Sequence, residues 1–218
     1  MAGDDAEHTK TRALADRKYI CVYLGGNMGG DERIAEQART LGRSMAQKGI
    51  GLVYGGARVG LMGVLADTVL AHGGVATGVI PRHLQYQEVA HEGLTRLLVV
   101  DTMHERKHRM QQMAHACIAM PGGFGTLEEI FEALTWAQLE VLDKPCVFLN
   151  VNGYYDYLFK FLDHAAAQGL LRAKNRALAL QAPAADTALK MIQAAWAEED
   201  KALNEALLAY EGRRAVLP

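Results

Sequence analysis

Two short stretches of this chain carry residue types and spacings that could do chemistry. The first, Met103-His104-Glu105-Arg106-Lys107-His108-Arg109-Met110, contains H-E-x-x-H. In that pattern two histidines one helical turn apart hold a zinc ion, and the glutamate serves as general base. Glu128 stands further on, where a third ligand would be sought. The second stretch, Met120-Pro121-Gly122-Gly123-Phe124-Gly125-Thr126-Leu127-Glu128-Glu129, leaves an apolar run, turns through three glycines and enters a helical pattern. Such a loop lets backbone N–H groups approach an anion, and the helix dipole favours negative charge there. Thr126 adds a hydroxyl. Glu128 and Glu129, expected in the first helical turn, would sit close to whatever a bound phosphate carries.

The zinc reading meets two objections. Arg106, Lys107 and Arg109 are three cations beside the motif, and they oppose a dication. Between His108 and Glu128 lie an apolar strand and a glycine loop, where a zincin has helices. The same cations suit a phosphate-bearing ligand, because arginine offers a planar fork of donors. The plainer alternative is a solvated helix start with Glu105 paired to a neighbouring base. Glu129 also has two readings. Thr126-x-x-Glu129 matches a capping box, in which Glu129 ties down the helix start, and the same position suits a catalytic carboxylate.

The elements that must position these residues alternate. Strand candidates lie at residues 19–24, 51–54, 75–80, 96–100, 116–120, 146–150 and 177–181, several of them apolar throughout, as in a parallel sheet covered on both faces. Helical patterns lie between, at residues 31–48, 61–72, 126–142 and 154–168. The sequence therefore predicts a single α/β domain, doubly wound and Rossmann-like, with a mainly parallel sheet and helices on both faces. Residues 1–18 read as a loose tail, 19–198 as the domain and 199–218 as a helical extension that continues an apolar stripe from Leu189, Ile192 and Trp196.

In such folds ligands bind beyond the carboxyl ends of the strands, and three glycine-rich segments fall there: residues 25–30, 55–60 and 122–125. One such loop could be a tight turn and nothing more. Three together favour a phosphate-bearing ligand. It is not a dinucleotide by these signs, since none of the loops spells G-x-G-x-x-G, and no P-loop pattern occurs. A mononucleotide or sugar phosphate remains.

Composition narrows the class further. A formal charge of −2 gives no basic surplus for gripping nucleic acid. The polar N-terminus lacks a signal peptide's apolar core, and no run approaches the roughly 20 apolar residues of a membrane span. Cys21, Cys117 and Cys146 each sit in an apolar strand-like run, as buried reduced thiols of a cytoplasmic protein do.

Three segments together resemble a known family. Residues 54–63 (YGGARVGLMG), 103–107 (MHERK) and 121–129 (PGGFGTLEE) are similar to the signature segments of the Lonely Guy family, and the similarity runs from about residue 19 to 185. The resemblance implies a Rossmann-like homodimer or larger homo-oligomer that hydrolyses the N-glycosidic bond of N6-modified adenosine 5′-monophosphate without cofactor or metal. Its products are the free base and ribose 5-phosphate. By position, Arg106 and Glu129 match the family's catalytic pair. Glu88, Lys107, Gly122, Gly123, Phe124, Gly125, Thr126, Leu127, Glu128 and Thr135 match its substrate contacts. The family's serines after the first opening glycine are replaced here by Gly26-Asn27, and a glycine of the second loop by Ala57, departures that bear on base preference and ribose contact. The lysine decarboxylase label often given to such sequences calls for a pyridoxal phosphate site, and nothing in this sequence suggests one. A competing reading is a non-catalytic Rossmann carrier of a phosphorylated cofactor, similar to a molybdenum-cofactor carrier. The Arg106 segment speaks against it.

Overall fold

The computed structural model describes residues 17–85, 90–142 and 144–214, with side chains as far as residue 205. Seven strands alternate with helices. In chain order they are β1 (Tyr19–Tyr23), α1 (Glu32–Gln47), β2 (Gly51–Tyr54), α2 (Gly60–Ala71), β3 (Ala76–Pro81), β4 (Arg96–Val100), α3 (Met103–Met113), β5 (Ala116–Ala119), α4 (Phe124–Gln138), β6 (Cys146–Leu149), α5 (Asp156–Ala167), α6 (Ala173–Arg176), β7 (Ala179–Ala182) and α7 (Ala185–Arg214). Short 3₁₀ turns follow β3 and β6, at Arg82–Leu84 and Val151–Gly153.

The strands form one sheet in the order β4-β3-β2-β1-β5-β6-β7, and every pairing is parallel. β1, β2, β5 and β6 are buried almost throughout, which their unbroken apolar runs require when helices cover both faces. Alternate strand residues point to opposite sides and build two cores. Ile20, Val22, Leu52, Tyr54, Ile118 and Leu149 pack under α1, α2 and α7. Cys21, Tyr23, Val53, Val79, Cys117 and Phe148 pack under α3, α4 and α5. All three cysteines are buried free thiols, on β1, β5 and β6.

The strand and helix patterns read from sequence are all present, with shifted ends. The helix expected at residues 126–142 starts at Phe124, inside the glycine loop, and stops at Gln138 before Glu140, which adopts a left-handed φ of 57°. The helix expected from residue 154 starts at Asp156, because a 3₁₀ turn precedes it. Helix α3 was not among the periodic segments. Its buried face is Arg106, Lys107, Met110 and Gln111, three of them polar, so it shows no apolar stripe. Among the described residues no helix is long and apolar enough to cross a membrane.

Helix α7 runs without a break through residues 198 and 199, where the sequence suggested a boundary. Its first half is core: Ala185, Ala188, Leu189, Ile192 and Trp196 are buried at helical spacing. Trp196 closes that stripe, donating its indole N–H to His115 O at 2.9 Å, and residues 197–205 are exposed. Trp196→Ala should therefore cost about 3–5 kcal/mol, the usual penalty for deleting a buried aromatic. Leu203→Ala, at an exposed position of the second half, should cost far less. Urea unfolding at constant slope measures both.

Candidate active site

The chain builds the sheet outward from β1 to β4 on one side, then returns to place β5, β6 and β7 on the other. The loops after β1 and β5 consequently diverge in opposite directions, and the crevice between them is a topological switch point. A cleft of about 550 Å³ opens there, lined by the loop after β1, Gly55 after β2, Arg106 of α3, the loop after β5 and Tyr154 after β6. That volume lies within the usual range of small-molecule sites.

The glycine loops stand shoulder to shoulder. Gly60 has φ +54°, and a Cβ there would fall 2.3 Å from Gly26 O, so the second loop can touch the first only without a side chain. A Cβ on Gly122 would lie 2.1 Å from Thr126 Oγ1, and Thr126 is buried beneath the third loop. Gly123 is the N-cap of α4 and supplies no side-chain cap. The first-turn N–H groups of this fifteen-residue helix therefore begin beside the cleft without a capping side chain.

This start corrects two expectations. Thr126 lies inside the helix, so no capping box forms between Thr126 and Glu129, and no acidic residue occupies the first turn of α4. Glu128 and Glu129 stand one turn further in, where both line the cleft. The capping arrangement occurs instead at α3. Thr102 Oγ1 accepts from Glu105 N–H, and Glu105 Oε2 accepts from Asp101 N–H, both at 3.1 Å.

Arg106 is 6% exposed. Its Nε donates to Val79 O at 3.0 Å and its Nη2 to Gly55 O at 2.9 Å, while Nη1 lies 3.8 Å from Met103 Sδ. Backbone carbonyls of two neighbouring parallel strands, one within β3 and one just past β2, thus hold one edge of the guanidinium. Gly55 makes this approach possible, since a Cβ there would sit 2.2 Å from Nη2.

Lys107, the next residue, points elsewhere. Its ammonium pairs with Glu132 at 3.0 Å and makes a close hydrogen bond to Glu128. Burial pushes the Lys107 pKa down, but the hydrogen bonds and charges of the two glutamates outweigh it and leave it raised. On the cleft floor, Tyr23 Oη accepts from Gln111 Nε2 at 2.7 Å. Burial, with Cys117, Cys21 and Glu129 nearby, pushes that phenol well above its ordinary value, so the floor is neutral.

Of the residues singled out from sequence, Arg106, Gly122, Gly123, Gly125, Thr126, Glu128 and Glu129 border the cleft. Lys107 is held by its glutamates, Phe124 is 95% exposed, Leu127 packs on the core, and Thr135 Oγ1 donates to Phe131 O of its own helix. Glu88 lies outside the described residues. His104 and His108 are exposed on α3, and the His108 ring lies 6.3 Å, edge-on, from Trp136. Among the described residues no three histidine, cysteine, aspartate or glutamate side chains converge as a metal site. Tyr154, whose hydroxyl donates to Gly122 O at 2.8 Å, went unnoticed in the sequence because it belongs to a connection with no motif of its own.

Fold and cleft together define a Rossmann-like α/β protein with a cleft at the switch point of its sheet. Relatives make the class narrower. The profile of the family described as "Possible lysine decarboxylase" matches residues 62–192. A probable cytokinin riboside 5′-monophosphate phosphoribohydrolase of Oryza sativa subsp. japonica is 43% identical over 174 residues, 80% of this chain and 78% of the relative. The cytokinin riboside 5′-monophosphate phosphoribohydrolase of Rhodococcoides fascians is 44% identical over 172 residues, 78% of this chain and 87% of the relative. One from Arabidopsis thaliana is 39% identical over 177 residues, covering 81% and 78%. The chain belongs to the family these proteins share, the Lonely Guy family. Among solved structures, a molybdenum cofactor carrier protein of Chlamydomonas reinhardtii superposes with a TM-score of 0.63 at 21% identity, over 84% of this chain and 99% of its own. A molybdenum cofactor binding protein of Rippkaea orientalis gives 0.61 at 21% identity, over 82% and 96%. These two share the fold.

The Lys107 cluster carries a prediction. Glu128 is half exposed and Lys107 is not, so the cluster falls between a surface pair and a buried one. Lys107→Met should lower stability by about 2 kcal/mol at pH 7. A raised lysine pKa stabilises the fold fully below the ordinary value of 10.5, and this contribution is lost as pH rises through the folded value. The wild-type advantage over the variant should accordingly hold through neutral pH and disappear in strong alkali, as urea titrations at stepped pH would record.

Proposed function

We propose that the protein hydrolyses the N-glycosidic bond of adenosine 5′-monophosphate, N6-modified forms included, to free base and ribose 5-phosphate. One observation carries this reading. Arg106 from α3 and Glu129 from α4 border the same switch-point cleft, beside the N-terminus of α4. Relatives about 40% identical over most of the chain bear the name of that activity.

The chemistry follows from the charges. As the bond from C1′ to the purine nitrogen breaks, its electron pair leaves with the base and positive charge spreads over C1′ and the ring oxygen. A water oxygen then bonds to C1′ and gives up a proton, while the departing base gains one. Glu129 is assigned to this centre. Its carboxylate stabilises the cationic ring and accepts the proton of the attacking water. The amides of Phe124, Gly125 and Thr126 at the start of α4 receive the 5′-phosphate, with the helix dipole behind them. Arg106, gripped on one edge by the carbonyls of Val79 and Gly55, is a fixed cation that orients the ribose against the water. Glu128, braced by Lys107, completes the wall.

Glu129→Gln keeps the shape and removes the charge. It should reduce release of base by about 10³-fold or more while AMP still binds, a loss of transition-state stabilisation and not of ground-state affinity. Chromatography of incubations with AMP and isopentenyl-AMP measures this directly. Wild-type turnover in the variant removes Glu129 from the mechanism. Nucleotide returned intact by the wild-type protein would make it a carrier.

We further place the active form as a homodimer or larger homo-oligomer in the cytoplasm, where three unbonded thiols stay reduced. Ile130, Ala133 and Ala137 turn α4 toward its own sheet, while Trp136 is only partly covered and Leu139 and Val141 are about 60% exposed. Burying this apolar end against a symmetry mate uses one patch twice. Light scattering should return at least twice 23.8 kDa, and a fully active monomer would refute the assembly.

A further inference from the structure

The connection from β6 to α5, residues 150–155, carries polar contacts that the reaction above does not use. Two adjacent tyrosines reach from it to the loop after β5. Tyr155 Oη donates to Met120 O at 2.6 Å, and Tyr154 Oη donates to Gly122 O at 2.8 Å. The accepting carbonyls flank Pro121, so the loop is tied on both sides of a residue with no N–H of its own.

The connection is itself braced. Asn150 Oδ1 accepts from Tyr155 N–H at 2.6 Å, its Nδ2 donates to Asp156 Oδ1 at 2.8 Å, and its backbone N–H donates to Ala182 O at 2.7 Å. Asn152 takes a left-handed φ of 51°, a conformation asparagine tolerates, and its Nδ2 lies 3.3 Å from Asp31 Oδ2. Asp31 is the N-cap of α1. One short segment thus ties down both walls of the cleft, the loop before α1 and the loop before α4.

We propose that Tyr154 is a positioning residue for the phosphate end of the nucleotide, setting the plane of the peptide between Gly122 and Gly123. This rests on the reading that the cleft takes a nucleoside 5′-monophosphate. In a planar trans peptide the C=O and the following N–H point in opposite directions. Holding Gly122 O on Tyr154 therefore turns Gly123 N–H, at the N-cap of α4, away from the tyrosine. Two consecutive glycines have the widest rotational freedom in the chain, so this peptide needs a tie from outside the loop. The two tyrosines divide the work. Tyr155 is 2% exposed and packs edge-on against Phe148 at 5.1 Å, so its loss would be felt by the core. Tyr154 is 49% exposed at the cleft, its ring edge-on to Tyr155 at 4.9 Å, and removing its hydroxyl breaks the bond to the loop carbonyl while leaving the core filled.

The test compares wild type with Tyr154→Phe by calorimetric titration with inorganic phosphate and with adenosine, and by kinetics on AMP. The variant should bind phosphate about tenfold more weakly and show a KM for AMP raised to match. Its kcat should stay within about twofold and its adenosine affinity should not change, the pattern of lost uniform binding at one end of the ligand. Unchanged phosphate affinity and KM overturn the proposal. So does an equal loss toward phosphate and adenosine, which would mean general slackening of the cleft. Wild-type protein that binds phosphate but leaves AMP intact overturns the hydrolase reading alone, and the phosphate titrations then decide Tyr154 by themselves. Wild-type protein that binds no phosphate overturns the proposal.

Discussion

Arg106 is a full positive charge held at 6% exposure, and much of the site's architecture follows from that constraint. A buried guanidinium must find acceptors, and removing a partner from such a charge typically costs about 3–5 kcal/mol. Here two of its acceptors are backbone carbonyls, Gly55 O just past β2 and Val79 O within β3, one residue beyond its last pairing with β2. Both lie beyond Tyr54 and Gly78, the last residues that β2 and β3 pair with each other, and the arginine satisfies them as they satisfy it. The arrangement sets the identity of Gly55, whose Cβ would collide with Nη2. It also makes the start of α3 matter, and Thr102 and Glu105 cap that helix one turn before Arg106.

Neighbouring charges on the same two helices have different tasks. Arg106 and Lys107 are consecutive, yet one faces the cleft and the other is consumed by Glu128 and Glu132. Successive residues on a helix point about 100° apart, so a motif read as one unit in the sequence splits into two environments. Glu128 and Glu129 are likewise consecutive, both on the cleft, and Glu128 is anchored there by Lys107. Below them the neutral Tyr23 phenol and Gln111 form a polar floor without a formal charge of its own. Electrostatic work in the cleft therefore falls to a few named groups and to the dipole of α4.

Much of this was legible in the residues alone. Alternating apolar runs and helical patterns determined a parallel, doubly wound sheet, because a strand covered on both faces has nowhere to place a polar side chain. Glycines after three strands marked the carboxyl edge where a ligand binds, and the MHERK and PGGFGTLEE segments carried the family. Tertiary structure decided what local pattern could not. Helix α3 escaped the periodicity because its inner face is polar, and the partners that let it be buried, the carbonyls of Val79 and Gly55, Glu128, Glu132 and Tyr23, come from distant parts of the chain. The capping signal at Thr126 and Glu129 was locally correct and globally unused, since the N-cap is Gly123, three residues earlier, and Thr126 instead lies inside the helix against Gly122, where a Cβ would collide with its hydroxyl. The ties from Tyr154, Tyr155 and Asn152 span 32, 35 and 121 residues, and no short-range pattern encodes a contact that exists only once the sheet has brought β6 beside β5.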